Sequence, residues 1–425
     1  MTSFDTSPQL NVWRALLALA VVFVMLATTG WTALRNQRGP TALEASVTAW
    51  EHGRIDGRRL PDAQAAPARL ARFFASLSDW QRRSLARRYP LAVGNMNGAP
   101  VEVRYLANRA ALRKARAVER LRMHDERLSP SGQREAGRRA QRYDSLLAPD
   151  RHILAFDPAG SGKVAEVFGN LNRADRVSVV VPGVDTELLT FQRTVRKYSA
   201  PAGMGESLYA AEHRASPGTR TAVIAWADYT SPSGLGMEAA TATRAEQGAV
   251  RLNALLRALP GRAPVSLFCH SYGSVVCGLA ARGLPGRVTD IAVAGSPGMR
   301  VEKAAHLGTS ARVWAMRDAD DWIQEVPYME VGGLGHGADP VSAGFGARVL
   351  SARAPRDTAA TSCPARRACG TSRKSALART ARSPAPARTA HAGRVCPKRR
   401  PPDARRGAET PVCTGRGRKS SCRIR

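Results

Sequence analysis

Residues 264–281 read Pro-Val-Ser-Leu-Phe-Cys-His-Ser-Tyr-Gly-Ser-Val-Val-Cys-Gly-Leu-Ala-Ala, and no other stretch constrains the fold as much. Val265 to Cys269 is a short apolar-rich run, which predicts a buried strand. Ser274 to Ala281 is small and apolar, which predicts a helix packed closely on a sheet. Between them stands His270-Ser271-Tyr272-Gly273. A strand that bends this sharply into a helix holds the residue at the bend in a strained conformation and lifts its side chain above the sheet. At this bend that side chain is the Ser271 hydroxyl. The usual spacing is Gly-x-Ser-x-Gly, and Cys269 occupies the first glycine position. It is small enough for a site where strand and helix nearly touch. The plain alternative is a turn serine of the kind any α/β sheet carries, and the flanking strand and small-residue helix favour the nucleophile.

Around that stretch, strand and helix patterns alternate. His152 to Asp157 and Lys163 to Phe168 read as two strands joined by a Gly-rich turn. The Gly160-Ser161-Gly162-Lys163 in that turn is not a phosphate loop, because Val164 follows the lysine and Asp157 stands where the first glycine belongs. Arg176 to Val181 is a β-branched run, and Thr221 to Ala225, Val288 to Ala294 and Arg312 to Met316 are further strand candidates. Gly346 to Leu350 is the candidate last strand. Helical patterns are expected over 190–213, interrupted near Gly203, and over 238–259. This order predicts a doubly wound, mostly parallel sheet whose site lies in loops at the C-terminal strand ends. Upstream, Leu70, Phe73, Phe74, Leu77, Trp80 and Leu85 predict a helix within 63–88 that ends at Tyr89-Pro90. Residues 94–98 read as a turn. A basic helix follows over 102–126 and a polar one over 133–147.

The ends of the chain differ from its middle. Residues 15–34 carry no charge and lie between Arg14 and Arg35, long enough for a membrane-spanning helix, with a cleaved signal peptide as the second reading. The flanking charges are balanced, so the sequence does not set an orientation. The net charge is +30, and the last 74 residues hold twenty of the 64 Lys and Arg but three of the 34 Asp and Glu. They also hold five of the seven cysteines, at spacings that match no zinc module. Without a single aromatic residue, this tail lacks the means to stack on bases. It reads as a disordered segment, and no specific nucleic-acid partner is expected. Cys269 and Cys277 are expected to be buried thiols, with no structural disulfide in the globular part. The expected organisation is an N-terminal tail (1–14), a membrane helix or signal anchor (15–34), a helical region (35–150), an α/β domain (151–350) and the basic tail (351–425).

Several blocks occur together in register. They are Gly94-Asn95-Met96-Asn97-Gly98 with Tyr105-Leu106-Ala107-Asn108-Arg109, Val181-Pro182-Gly183-Val184-Asp185-Thr186, and His270-Ser271-Tyr272-Gly273. Ala294-Gly295-Ser296-Pro297, Asp321-Trp322-Ile323-Gln324-Glu325-Val326-Pro327, Gly335-His336-Gly337 and Phe345-Gly346-Ala347-Arg348 complete the set. Over roughly residues 90 to 350 the chain resembles an uncharacterised bacterial α/β-hydrolase family, distantly similar to lipases and cutinases. The resemblance implies an α/β-hydrolase-like doubly wound, mostly parallel sheet, which in this chain follows the helical region and the membrane segment read above. In that fold the nucleophile is followed along the chain by the acid and then the histidine. Ser271 fits the nucleophile. The resemblance places the acid at Asp321, with Asp320 as second choice, and the oxyanion donors at Val184 and Tyr272.

The histidine breaks the pattern. Only His336 and His391 follow Asp321, and the segment after Phe345-Gly346-Ala347-Arg348 lacks the histidine and Tyr-Phe pair that the resemblance implies. His336 is the substitute candidate, while His270 reads as a residue that shapes the bend. Residues 357–371, read one base out of frame with permitted third bases, can spell His-Gly-Gly-Tyr-Phe-Val-Pro-Gly-Thr. The tail therefore looks frameshifted. The expected activity is a serine hydrolase acting on a small ester or related acyl substrate, impaired in this chain, with no metal and no cofactor. The chain is expected to be a single-pass membrane monomer, or a secreted one if the leader is cleaved. The alternatives are an inactive binding protein of the same fold, and a basic protein that binds nucleic acid or membrane surfaces through its tail.

Overall fold

The computed structural model describes residues 39–318, 321–325 and 328–351. The expected span at 15–34, Asp320, His391 and the tail beyond Ser351 lie outside these residues. Among the described residues, no helix is long and apolar enough to cross a membrane.

The N-terminal region is helical. Helix α1 (Ala42–Glu51) opens on a capping box in which Thr41 and Glu44 satisfy each other's backbone amides. A hairpin of β1 (Arg54–Ile55) and β2 (Arg58–Arg59) follows. The single run expected within 63–88 is two helices, α2 (Pro67–Ala75) and α3 (Asp79–Arg88), because Ser78 and Gln81 form a second capping box that restarts the chain. Pro90 opens α4 (Pro90–Asn95), which takes in part of the expected turn at 94–98. Helices α5 (Val101–Arg122) and α6 (Pro130–Leu146) complete the region. Trp50 is fully buried at its centre, stacked on Phe74 and edge-on to Phe73 and Tyr89, with its indole N–H donating to Pro61 O at 2.7 Å. That polar partner lets so large an aromatic side chain sit fully inside.

Strands β3 (His152–Asp157) and β4 (Lys163–Gly169) form the expected antiparallel hairpin. After β5 (Arg176–Val181) come α7 (Pro201–Ala215), β6 (Thr221–Ala227), α8 (Met237–Ala240), α9 (Thr243–Ala258), β7 (Val265–His270) and α10 (Gly273–Ala280). The chain continues through β8 (Val288–Ala294), β9 (Arg312–Met316), a small hairpin of β10 (Glu330–Val331) and β11 (Leu334–Gly335), and β12 (Arg348–Val349). One eight-stranded sheet runs β12-β9-β8-β7-β5-β6-β4-β3. Its strands are parallel from β12 to β6, and only β4 and β3 run against their neighbours.

The two-residue period of the strands sorts their side chains between two layers. Val179, Val181, Leu267, Ile291 and Val293 pack in one core with Leu252 and Leu256 of α9 and Val275 and Val276 of α10. Val180, Phe268 and Ala292 point the other way, where Met204 and Leu208 of α7 meet them. The helix expected over 190–213 starts only at Pro201 and runs through Gly203 without a break. The glycine is there for space, since a Cβ on it would lie 2.0 Å from Lys197 O. The helix expected over 238–259 is divided at Thr241, and the last strand is shorter than the expected 346–350.

Candidate active site

Ser271 sits at the bend between β7 and α10 with φ of 52°. A non-glycine residue in that region is strained, and it persists only where its surroundings hold it. Several contacts do so. Ser271 N donates to Ala294 O at 3.0 Å, and Ser274 N donates back to Ser271 O at 2.9 Å. The Ser274 hydroxyl bonds Ser271 O and Ser296 Oγ, tying the bend to the Gly295-Ser296 turn after β8. The turn is crowded enough to require two glycines. A Cβ on Gly273 would lie 2.2 Å from Val181 O, and one on Gly183 would lie 2.6 Å from Ser271 Cβ and 3.0 Å from its Oγ. The loop that leaves β5 therefore rests directly against the serine.

The structure corrects the expectation of two free thiols at this bend. Cys269 and Cys277 are joined by a disulfide, with their Cα atoms 6.5 Å apart. The close approach of strand and helix, which makes small residues necessary here, also brings the two sulfurs within bonding distance.

On the loop after β5 and at the start of α10, the backbone N–H groups of Val184 and Tyr272 donate to no group among the described residues. The Tyr272 side chain is buried. Its phenol donates to Thr241 O at 2.9 Å and accepts from Ala245 N at 3.2 Å, and burial pushes its pKa up to about 12. These bonds tie the residue to Thr241 and the start of α9.

Asp321 lies beyond β9, where Asp321 N donates to Asp318 O and its Oδ1 accepts from Ile323 N at 3.1 Å. A Cβ on Gly295 would lie 2.9 Å from Asp321 Oδ2 and 3.9 Å from His270 Nε2. The bare backbone at 295, with φ of 54°, thus lets a carboxylate from the β9 end and an imidazole from the β7 end converge over β8. Burial holds His270 below the usual histidine range, and the Asp321 charge opposes that shift.

His336 is placed elsewhere. It is 5 % exposed, its Nε2 lies 2.7 Å from Ala239 O, and its ring stands edge-on to Tyr272 at 5.7 Å. Because a carbonyl only accepts, Nε2 carries the proton, and Nδ1 has no partner among the described residues. Burial lowers its pKa. Neither ring nitrogen bonds Ser271 or Asp321 among the described residues, so the structure brings His336 to the serine's neighbour and not to the serine.

The sequence reading missed a segment tied to the loop after β5. Residues 229–241 are stitched to the loop after β5, with the Tyr229 hydroxyl on Pro182 O at 2.6 Å, Asp185 N on Pro232 O and Gly234 N on Asp185 Oδ1. Thr241 then bridges to Leu334 of the β10–β11 hairpin. Leu235, Met237 and Leu334 on these segments are large, apolar and exposed. Ser231-Pro232-Ser233-Gly234, with Gly234 at φ of 63°, was the local turn signal. Asn108 and Arg109 are joints rather than site residues. Asn108 holds Gly94 O and Ile153 O, and Arg109 holds Leu147 O. Among the described residues no cluster of His, Cys, Asp or Glu could hold a metal ion.

Residues 157–331 match the sequence profile of a family described as alpha/beta hydrolase. Two Mycobacterium tuberculosis proteins, Rv2079 of strain H37Rv and MT2140 of strain CDC 1551, both named uncharacterized, are each 27% identical over 350 residues. The match covers 69% of this chain and 52% of each relative, so the chain spans about half their length. Among solved structures, 2,6-dihydroxy-pseudo-oxynicotine hydrolase matches over 67% of this chain and 83% of its own, at 12% identity and a TM-score of 0.29. A Xanthomonas campestris protein described as an α/β serine hydrolase without lid matches over 40% of this chain and 71% of its own, at 14% identity and a TM-score of 0.24. The bend at Ser271 and the mostly parallel sheet agree with the profile match, and residues 157–331 carry an alpha/beta-hydrolase fold.

Proposed function

We propose that the domain is a serine hydrolase acting on an ester or related acyl substrate, with Ser271 as nucleophile and Asp321 as the acid. The observation that carries this reading is Ser271 itself, a strained non-glycine residue at a strand–helix bend with Gly183 against its Oγ. Ser271 Oγ attacks the acyl carbon, and its proton passes to the departing alcohol by way of the triad histidine of the intact frame (by way of water where that base is missing). Water then releases the acyl-enzyme by the reverse transfer. Charge that develops on the carbonyl oxygen is met by the N–H groups of Val184 and Tyr272, which is where such donors act. His270 stays neutral and orients Asp321 at the β8 end. The exposed Leu235, Met237 and Leu334 beside this site favour a substrate with an apolar acyl portion.

The nucleophile lacks a base among the described residues. His336 is committed to Ala239 O and acts by holding Tyr272. We attribute the missing histidine to a frame change after Leu350, which leaves this chain impaired. Loss of a triad histidine costs on the order of 10⁴–10⁶ in turnover. The coding DNA across residues 346–371 tests this, and the absence of a His-x-x-Tyr-Phe segment in every shifted frame sinks it. The chain is further proposed to sit at a membrane through residues 15–34.

A fluorophosphonate probe tests the nucleophile, in this chain and in one whose frame after Leu350 is restored, because it needs an activated serine but not a full catalytic cycle. Labelling at Ser271 that vanishes in Ser271→Ala supports the proposal. Labelling that persists in that variant, or that never occurs even in a chain whose reading frame after Leu350 is restored, overturns it. The unsupported nucleophile favours one second reading, an α/β-hydrolase fold that binds an acyl ligand without turning it over. Saturable binding of a fatty acid without labelling is its signature.

A further inference from the structure

Cys269 precedes Ser271 by two residues and Cys277 follows it by six, and the two are bonded. Cys269 lies in β7 and Cys277 in α10, so the bond joins the two arms of the bend whose apex is Ser271. Both residues are buried, at 1 % and 0 % exposure. The backbone on either side is already fixed, by Gly273 against Val181 and by Gly183 against the serine. A separation of the two arms would therefore be felt first at the strained apex.

We propose that the Cys269–Cys277 bond is a maturation disulfide that sets the nucleophile bend and commits the domain to an oxidising compartment. As regulation of the serine site, this rests on the reading of Ser271 as nucleophile. In the chemistry, one thiolate attacks the disulfide of an oxidised thiol–disulfide carrier and forms a mixed disulfide. The other cysteine resolves it, so that two protons and two electrons leave the pair and the carrier departs as a dithiol. Such bonds persist outside the reducing cytosol. The uncharged stretch at 15–34 would give the chain its route there, with the domain on the far side of the membrane from the cytoplasm. Full burial means that the bond closes before α10 has packed on the sheet, and that reductants reach it slowly once the domain is folded.

The sequence supplies a clean assay. Trypsin cuts after Arg262 and Arg282 and nowhere between, so one peptide, 263–282, carries both cysteines and none from the tail. In full-length protein from the native membrane fraction, this peptide should take up no iodoacetamide before reduction and two equivalents after it. Protein made reduced in a cytosol should melt roughly 5 °C lower. It should also label at Ser271 at least tenfold more slowly, and treatment with an oxidised disulfide carrier should restore both. Cys277→Ser should behave like the reduced protein and be indifferent to dithiothreitol. Full alkylation of the native peptide without reduction overturns the proposal, as do equal melting and labelling in the two redox states. If neither state labels, the comparison is repeated in a chain whose frame after Leu350 is restored, where absence of labelling sinks the nucleophile reading, while peptide mass and melting temperature decide whether the bond is a maturation staple.

Discussion

Gly183 and Ser271 are in contact: a single carbon added to the glycine would overlap the serine's Cβ and crowd its Oγ. Their contact couples the end of β5 to the apex of the β7–α10 bend, and the loop that offers the Val184 amide is positioned by it. Gly183→Ala should therefore reduce fluorophosphonate labelling at Ser271 by about 10²-fold or more, the scale of losing an oxyanion donor. Far-ultraviolet circular dichroism should stay unchanged. Labelling within a factor of two of the parent chain would show that the loop is free to move aside.

The meeting of Asp321 and His270 over Gly295 makes a second expectation. Burial lowers the His270 pKa and the Asp321 charge raises it. Asp321→Asn removes only the raising influence, so the His270 pKa should fall further. The Cε1–H resonance, assigned by its loss in His270→Gln, reports this in a proton NMR titration. A rise, or no change, would separate the two groups. The sign for stability follows from the lowered pKa. The histidine's contribution is present above about pH 6.5, its unfolded value, and is lost as pH falls towards the folded one.

Glu212 of α7 lies on the opposite layer of the sheet from α9 and α10. Its Oε1 accepts from Ser178 Oγ at 2.6 Å, while its Oε2 is buried without a partner. Burial raises its pKa to about 7. A raised carboxyl pKa means that the folded state holds its proton longer than the unfolded state does. Stability should then fall as pH rises from about 4.5 to about 7, by on the order of 3 kcal/mol, and level off above that. Glu212→Gln should flatten this slope in urea unfolding followed between pH 5 and pH 8. An unchanged slope would show that another group carries it.

The apolar rim predicts how probes discriminate. Alkyl fluorophosphonates of increasing chain length should label Ser271 progressively faster, with roughly 1–3 kcal/mol, or 10–200-fold, available from added contacts. The triple variant Leu235→Ser, Met237→Ser, Leu334→Ser should lose this gain while the shortest probe reacts as before. Equal chain-length dependence in both proteins would remove these three residues from substrate binding.

The sheet was legible where the code is local. The β-branched run at 176–181, the apolar run at 265–269 and the small residues after Gly273 each fix an element within their own span. Ser78 shows a limit of periodicity. Leu70 to Leu85 keep helical spacing across a break that a capping side chain imposes. Other features depend on residues distant in sequence. Gly203 resembles a helix interruption until Lys197 is seen folded against it. His336 follows Asp321 in the expected order, yet the bridge between Thr241 and Leu334 carries it to Ala239 and Tyr272. The disulfide was missed because two small buried residues eight apart look alike as thiols or as a bond. Only the angle at which α10 leaves β7 distinguishes them.

The two margins of the sheet are unequal. At one, β3 is packed under α4 and α5, with Asn95 and Asn108 bonded to its backbone. At the other, β12 is two residues long, and Arg348 lays its guanidinium over the Trp314 ring, 5.1 Å from the centroid. So brief a strand, capped by a cation, offers an incoming β-segment almost nothing to zip onto. Among the described residues, brevity and charge at this margin disfavour edge-to-edge pairing, a hazard for a fold that keeps its reactive loops on a single rim.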